Sequence, residues 1–167
     1  MWFTLRPVEL AFLDSAPRRW IVEARLRAPR AAVWGAFIEP STWPQWFPGV
    51  RAASYPGASP PFGVGTRRAA TVGRQRYEET LLVWEEGVRW AYRVDRATVP
   101  LANAQLECTD FADDGAGTRL RWTLAADPRL AMRLASPFFP RVLGGLFERA
   151  ARNLDRHLGS PSTVQRA

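Results

Sequence analysis

Residues 141–159 are RVLGGLFERAARNLDRHLG, and this stretch decides how the rest of the chain must pack. Its apolar residues recur at intervals of three and four, which predicts a helix with one apolar stripe. Gly159 and the following Pro161 are a standard helix stop. The stripe consists of Leu143, Leu146, Phe147, Ala150, Leu154 and Leu158. Such a stripe must be covered by a second layer of structure.

Alternating segments upstream of the helix supply that layer. The predicted strands are residues 20–26, 75–84, 88–96, 103–111 and 118–126. Glu85-Glu86-Gly87 separates one pair of them, and the residues from Asp113 to Gly117 separate another, which predicts two hairpins. A strongly twisted sheet cannot pack flat along a helix. Large side chains must therefore fill the gap, or a cavity remains.

Two short helices are predicted between the first strand and the rest of the sheet. Pro29 can open the first, because a helix needs no N–H there, and Pro40 ends it. Residues 41–46 form the second, and the Pro- and Gly-rich residues 56–65 form a loop. We predict one domain at 18–159, with residues 1–17 as an extension packed on it and residues 160–167 as a disordered tail.

Composition excludes several classes of chemistry. The chain of 167 residues suits a single domain, and its 23 basic residues are all Arg, which rules out Schiff-base and P-loop lysines. The single His157 excludes multi-histidine metal sites, and the single Cys108 excludes an intrachain disulfide. We therefore expect no metal and no cofactor. Since neither a signal peptide nor a membrane-spanning run is seen, we expect a cytoplasmic protein.

Two stretches carry a family resemblance. The first consists of residues 28–34 followed by Trp43-Pro44-Gln45-Trp46-Phe47-Pro48-Gly49-Val50. The second runs from Gly63-Val64-Gly65-Thr66 through Glu79, Trp84 and Trp90-Ala91-Tyr92 to Gly117-Thr118-Arg119-Leu120-Arg121-Trp122. In spacing and residue class they resemble the START-like, Bet v 1-like (SRPBCC) superfamily, in particular its polyketide cyclase/dehydrase branch.

The resemblance implies an α+β helix-grip fold. In that fold a seven-stranded curved antiparallel sheet surrounds a long C-terminal helix, with two short helices after the first strand and a pocket between these layers. Members bind lipids, sterols, quinones, polyketides or hormones, and a minority are cyclases or aromatases. They share no universal catalytic motif, so the resemblance assigns no catalytic residue.

Glu79 is the first candidate for chemistry. Strand alternation places it on an inner face with Tyr77, Leu81 and Val83, where an unpaired carboxylate would have a raised pKa and could act as a general acid or ligand anchor. An ion pair with an arginine, or a hydrogen bond with Tyr77, is the structural alternative. Leu82 and Trp84 favour the opposite phase, with Glu78 inward.

Tyr92 is the second candidate, because its hydroxyl could donate to a ligand carbonyl or to a backbone partner. Large rings could line a pocket for a flat ligand, or they could simply fill the interior. The predicted ligand-binding residues are Trp46, Glu79, Leu81, Trp90, Tyr92, Trp122, Phe138, Phe139, Leu143 and Phe147.

The leading functional prediction is binding of a hydrophobic small molecule, such as a lipid, quinone or polyketide-like compound. One alternative is a polyketide aromatase/cyclase or dehydratase that uses Glu79 and Tyr92 in acid-base chemistry. Another is an interaction protein with a filled interior.

The net charge of +7 suggests a further partner. Arginines on the polar faces of the predicted strands could give weak contact with an anionic membrane, or they could be a solvated basic surface. They are Arg25, Arg27, Arg89, Arg93, Arg119 and Arg121. No nucleic-acid-binding motif accompanies them, so nucleic acid is not expected. The sequence makes no prediction of oligomeric state.

Overall fold

The structure, a computed structural model, describes residues 1–159, so the predicted tail at 160–167 lies outside the described residues. In this range the strands are β1 Phe3–Thr4, β2 Arg18–Leu26, β3 Val50–Ser54, β4 Arg67–Val72, β5 Gln75–Glu85, β6 Arg89–Ala97, β7 Ala102–Asp114 and β8 Gly117–Pro128. The helices are α1 Phe12–Ser15, α2 Arg30–Ile38, α3 Trp43–Trp46, α4 Leu130–Ala135 and α5 Phe139–Gly159. Single 3-10 turns precede α3, at Pro40–Thr42, and α5, at Ser136–Phe138.

Seven strands form one curled antiparallel sheet in the order β2-β8-β7-β6-β5-β4-β3, and the short β1 pairs with the end of β6. Helix α5 packs on β2 and α3 at the inner face of this sheet. The α+β class and the helix-grip arrangement are therefore confirmed. The predicted stripe of α5 supplies the contact, since Phe147, Ala150 and Leu154 are buried.

Strand β2 shows why the sheet faces the helix as it does. In β2 the alternate residues Trp20 and Leu26 are buried, whereas Glu23 and Arg25 are exposed. The Asp155 carboxylate of α5 accepts hydrogen bonds from the backbone N–H groups of Arg27 (2.9 Å) and Ala28 (3.1 Å). This contact joins the helix to the end of β2, where no strand partner satisfies those donors.

The start of β8 is tied to the same place. A Cβ atom on Gly117 would clash with the backbone carbonyl of Leu26, so the close approach of β8 to β2 requires glycine. The buried Thr118 hydroxyl donates to the carbonyl of Ala28 at 2.7 Å. The connection between β2 and α2 is therefore held by both β8 and α5.

Strand β5 changes phase part-way along its length. A register shift opposite β6 lies between Leu81 and Val83, so Leu81 and Trp84 contact the inner core while Val83 packs on the outer face. The expectation that Val83 shares a face with Glu79 is wrong for this reason. Of the opposite phase only Trp84 is inward, since Leu82 packs with Val83 on the outer face and Glu78 pairs with Arg96 at a half-exposed position.

The N-terminal segment contacts the outer face of the sheet. Val8 and Phe12 are buried there against Val83, Leu106 and the sheet residues around them. Backbone hydrogen bonds also join this segment to the sheet, from Leu5 N to Asp95 O at 2.9 Å and from Arg6 N to Asn103 O at 2.7 Å. The outer face therefore carries a second, smaller apolar core.

Candidate functional site

A cavity of about 170 Å³ lies between the inner face of the sheet, α3 and the first half of α5. Its apolar wall consists of rings and aliphatic side chains from α3, β8 and α5, among them Trp43, Phe47, Trp122, Leu143, Leu146 and Phe147. Its polar wall comes from the strands β4 to β7 and consists of Arg68, Tyr77, Glu79, Tyr92, Gln105 and Glu107. The cavity is thus apolar on the helix side and polar on the sheet side.

A buried ion pair forms the centre of the polar wall. Arg68 and Glu79 are directly opposite each other on β4 and β5, and Arg68 Nη1 donates to Glu79 Oε2 at 2.8 Å. Their side chains are only 2% and 5% exposed. Burying either charge without its partner would cost on the order of several kcal/mol. Each residue therefore requires the other.

Arg68 is also surrounded by rings. Its guanidinium carbon lies 4.3 Å from the centre of the Trp43 ring, 5.2 Å from that of Trp90 and 5.2 Å from that of Tyr92. Such positions favour a cation through the electrostatics of the ring face. Among the described residues, Arg68 Nε and Trp90 Nε1 are buried without a hydrogen-bond partner. The guanidinium is therefore held by stacking and one carboxylate, and part of its donor capacity is unused.

Glu107 is the second carboxylate of the wall and accepts three hydrogen bonds. Tyr92 donates its hydroxyl to Oε2 at 2.6 Å, and Trp122 donates its indole N–H to the same oxygen at 3.3 Å. Gln105 donates to Oε1 at 3.1 Å. Residues from β6, β7 and β8 are thus joined at one carboxylate on the inner face.

Burial raises the pKa of Glu79 to about 7, with Arg68 opposing the shift and the negative charge of Glu107 adding to it. Burial also raises the pKa of the Tyr92 phenol well above its ordinary value, and Glu107 contributes to the increase. The Tyr92 hydroxyl consequently stays protonated at neutral pH and acts as a hydrogen-bond donor. Glu79 can gain or lose a proton near neutrality.

The structure brings part of the predicted site to the cavity. Glu79, Tyr92, Trp122, Leu143 and Phe147 line it. Glu79 has the arginine partner that the structural alternative anticipated, whereas its predicted hydrogen bond with Tyr77 is not formed. The side chains of Glu79 and Tyr92 face the same cavity. Glu79 is held by the cation Arg68, and Tyr92 donates a hydrogen bond to the carboxylate of Glu107.

The other predicted site residues lie elsewhere. Leu81, Trp90 and Trp46 are fully buried in the core beside the cavity and do not line it. Phe139 packs on Trp20, with ring centres 5.1 Å apart. Phe138 is 64% exposed, because the 3-10 turn before α5 directs its side chain away from the interior.

Arg68 and Glu107 are the main functional candidates that sequence reasoning missed. In β4, Arg68 lies on the same face as the cavity residues Ala70 and Val72, which are two and four positions further along the strand. In β7, Glu107 shares the inner face with Phe111. Strand alternation could have placed both inward. A charged residue is normally assigned outward, however, and only the pairing across strands shows why these two are tolerated inside.

The interior has a second, much smaller gap. It lies between β2, β8 and the middle of α5, has a volume of about 10 Å³, and is bordered by Phe37, Trp46 and Leu154. A space of that size holds at most about one water molecule. The large rings therefore fill one end of the interior and leave the other end open.

Residues 20–159 match the family model described as polyketide cyclase / dehydrase and lipid transport. The chain belongs to this family. The resemblance to the START-like superfamily is thereby confirmed, and it accounts for a fold in which the cavity lies between sheet and helix. No curated protein sequence matches the chain.

Solved structures agree on the fold. A START superfamily protein from Mycobacterium smegmatis superposes with a TM-score of 0.68 at 13% identity, over 84% of this chain and 96% of that one. A protein from Thermus thermophilus superposes with a TM-score of 0.67 at 16% identity, over 87% of this chain and 100% of that one. The di-domain ARO/CYC BexL from the BE-7585A biosynthetic pathway gives 0.67 at 16% identity, over 86% of this chain and 50% of its own. At these identities the likeness shows the shared fold.

Two further features concern metals and membranes. Within residues 1–159, no group of three or more His, Cys, Asp or Glu side chains is placed to hold a metal ion. Across the same range, no helix is long and apolar enough to cross a membrane.

Five of the six arginines predicted on the strands form ion pairs with acidic neighbours, whereas Arg119 forms none within residues 1–159. Arg89 lies 2.6 Å from Asp110, and Arg93 contacts Glu9 and Asp95 at 3.0 and 2.8 Å. Looser pairs of 3.5 to 3.8 Å involve Arg25, Arg27 and Arg121. Much of the positive charge that suggested a membrane-binding sheet face is therefore compensated locally.

Proposed function

We propose that the protein binds a hydrophobic small molecule in the cavity between the sheet and α5. The observation that carries the proposal is the cavity itself, about 170 Å³ in volume, with an aromatic and aliphatic wall facing a buried polar wall. Ligand pockets generally combine a mainly apolar lining with a few placed polar groups. The family, whose description includes lipid transport, supports the same function.

The walls define the chemistry of the ligand. An apolar body would contact Phe47 and Phe147, and one polar end would approach the sheet side. There Arg68 has unused donor capacity for a carbonyl oxygen, and Glu107 can accept from a hydroxyl. The volume is below the roughly 300–1,000 Å³ of pockets for drug-sized ligands. The fitting ligand is therefore a compact oxygenated hydrophobe, such as a quinone or a polyketide-like ring, or the polar end of a lipid.

Native mass spectrometry of the purified protein tests this proposal. A retained small molecule that is released on denaturation would support it, and so would saturable binding of a quinone or fatty-acid probe. The Leu143→Trp variant should lose binding because the larger side chain fills the cavity, whereas Val142→Trp, on the exposed adjacent position, should retain it. A ligand-free protein that ignores the probes would contradict the proposal.

A specific observation supports a second candidate, an aromatase/cyclase or dehydratase acting on a poly-β-ketone chain. Glu79, with a pKa of about 7, faces the same cavity as the hydrogen-bond donor Tyr92. General acid-base catalysis is most effective when the pKa lies near the working pH. Against this, both groups are already engaged, Glu79 with Arg68 and Tyr92 with Glu107, and we therefore rank binding first.

Incubation with a poly-β-ketone thioester surrogate distinguishes the two functions. An enzyme should form a cyclised or dehydrated product at a rate that depends on an ionisation near pH 7, and the Glu79→Gln variant should lose that rate. Binding without any product in the wild-type protein would leave simple binding as the function.

A further inference from the structure

An apolar ridge runs along the segment that leads into α5. We use this term for Leu130, Leu134, Phe138 and Val142, which are 69%, 70%, 64% and 62% exposed. These are four of the eight exposed large apolar side chains among residues 1–159, and they recur at every fourth position through α4, the 3-10 turn and the first turn of α5. Side chains four residues apart are neighbours on a helical surface, so their exposure in one short segment is not random scatter.

The opposite side of the same segment is anchored to the domain. Met132 is buried, and Phe139 and Leu143 pack against the inner core. Leu143 also lines the cavity. The ridge is therefore the outward side of the same helical segment whose inward side forms part of the cavity wall.

Positive charge accompanies the ridge. Arg133 and Arg141 are exposed, and neither forms an ion pair with any residue in the described range 1–159. The acidic residues that flank the segment in sequence are already paired, Asp127 with Arg6 at 3.7 Å and Glu148 with Arg152 at 3.7 Å. The ridge thus combines exposed apolar side chains with uncompensated guanidinium groups, in contrast to paired strand arginines such as Arg89 and Arg93.

We propose that this ridge docks on the surface of an anionic lipid membrane. Helices with an apolar stripe and arginines beside it lie in the bilayer interface, where the apolar side chains insert and the cations contact lipid phosphates. A second copy of the chain is a poor occupant, because a symmetric contact through the ridge would oppose like charges. A bilayer also accepts inserted apolar side chains without a preformed complementary surface.

Co-sedimentation of the full chain with vesicles tests the proposal. We expect binding to vesicles of phosphatidylcholine containing phosphatidylglycerol, little binding to phosphatidylcholine alone, and weaker binding at high salt. The double variant Leu134→Ser/Phe138→Ser should bind about tenfold or more weakly. Since one arginine near an anionic surface corresponds to about a fivefold change in affinity, Arg133→Gln/Arg141→Gln should bind about 25-fold more weakly.

A matched control separates local from overall charge. Arg51→Gln/Arg119→Gln removes two exposed arginines that form no ion pair within residues 1–159, and it should bind vesicles as the wild-type protein does. Small-molecule binding measured without vesicles should be unchanged in Leu134→Ser/Phe138→Ser, so failure here is distinguishable from failure of the proposed function. Wild-type protein that ignores anionic vesicles overturns the proposal. So does equal loss in the control, or light scattering that shows a dimer dispersed by Leu134→Ser/Phe138→Ser.

Discussion

The two ends of the interior lie under the same sheet and the same helix, yet one is filled and the other is open. At the filled end, Phe37 packs against Trp46, Phe111 and Trp122 with ring centres 5.0 to 5.5 Å apart, and only about 10 Å³ remains. At the open end about 170 Å³ remains. The difference arises because Phe37 and Trp46 fill the first end, whereas the smaller Val50, Ala70 and Val72 border the second.

The open end also contains the side chains whose burial costs the most free energy. It contains Arg68, Glu79 and Glu107, and burying such groups is seldom the most stable solution available to a fold. Perturbed ionisable groups in a cavity are characteristic of functional sites. The filled end therefore stabilises the domain, whereas the open end holds buried polar groups for which ligand binding is the role proposed above.

The largest expected effect breaks the ion pair at the open end. Glu79→Ala leaves Arg68 buried without its carboxylate, and an arginine cannot neutralise itself by losing a proton. We expect a loss of about 3–5 kcal/mol in the free energy of unfolding, measured by urea denaturation. The double variant Arg68→Met/Glu79→Met should be close to wild type in stability. Equal destabilisation of both variants would show that the pair stabilises the fold outright.

The next test compares the two ends on one helix. Leu154 is 1% exposed at the filled end, whereas Leu143 is only partly buried at the open end. Leu154→Ala should cost about 3 kcal/mol, because it removes close contacts and creates a cavity. Leu143→Ala should cost about 1 kcal/mol, because it enlarges a space that already exists. Similar losses in urea denaturation would contradict the distinction between the ends.

The third test is a pH dependence confined to the open end. The pKa of Glu79 is about 7 in the folded protein and near 4.5 in the unfolded chain. The folded state therefore holds the proton of Glu79 more tightly than the unfolded chain does. The stability that Glu79 contributes is fully present below its pKa in the unfolded chain, and it is lost as the pH rises through its pKa in the folded protein.

Comparison with Glu79→Gln isolates this titration from that of other carboxylates. The stability difference between wild type and Glu79→Gln should shift against the wild-type protein as pH rises from about 4.5 to 7. Urea denaturation at several pH values measures it. A difference that is constant over this range, or that shifts in favour of the wild type, would show that Arg68 keeps Glu79 ionised throughout.

Local pattern was sufficient for most of the fold, and half of the site residues predicted from it line the cavity. The alternation of Trp90 and Tyr92 and the stripe of Phe147 and Leu154 are confirmed, because strand and helix periods alone determine which side of an element is apolar. The phase of β5 beyond Leu81 was not predictable, since a register shift depends on the partner strand.

By itself, the sequence determined the layers of this protein: a sheet with one apolar face, a helix with one apolar stripe, and enough rings between them to fill a core. Only the tertiary structure decided where those rings fall short and which charges enter the gap. Arg68 and Glu79 are separated by a turn in sequence and are opposite each other only when β4 pairs with β5. A buried charge is tolerated through its partner, and partners are chosen by strand pairing, which no single segment contains.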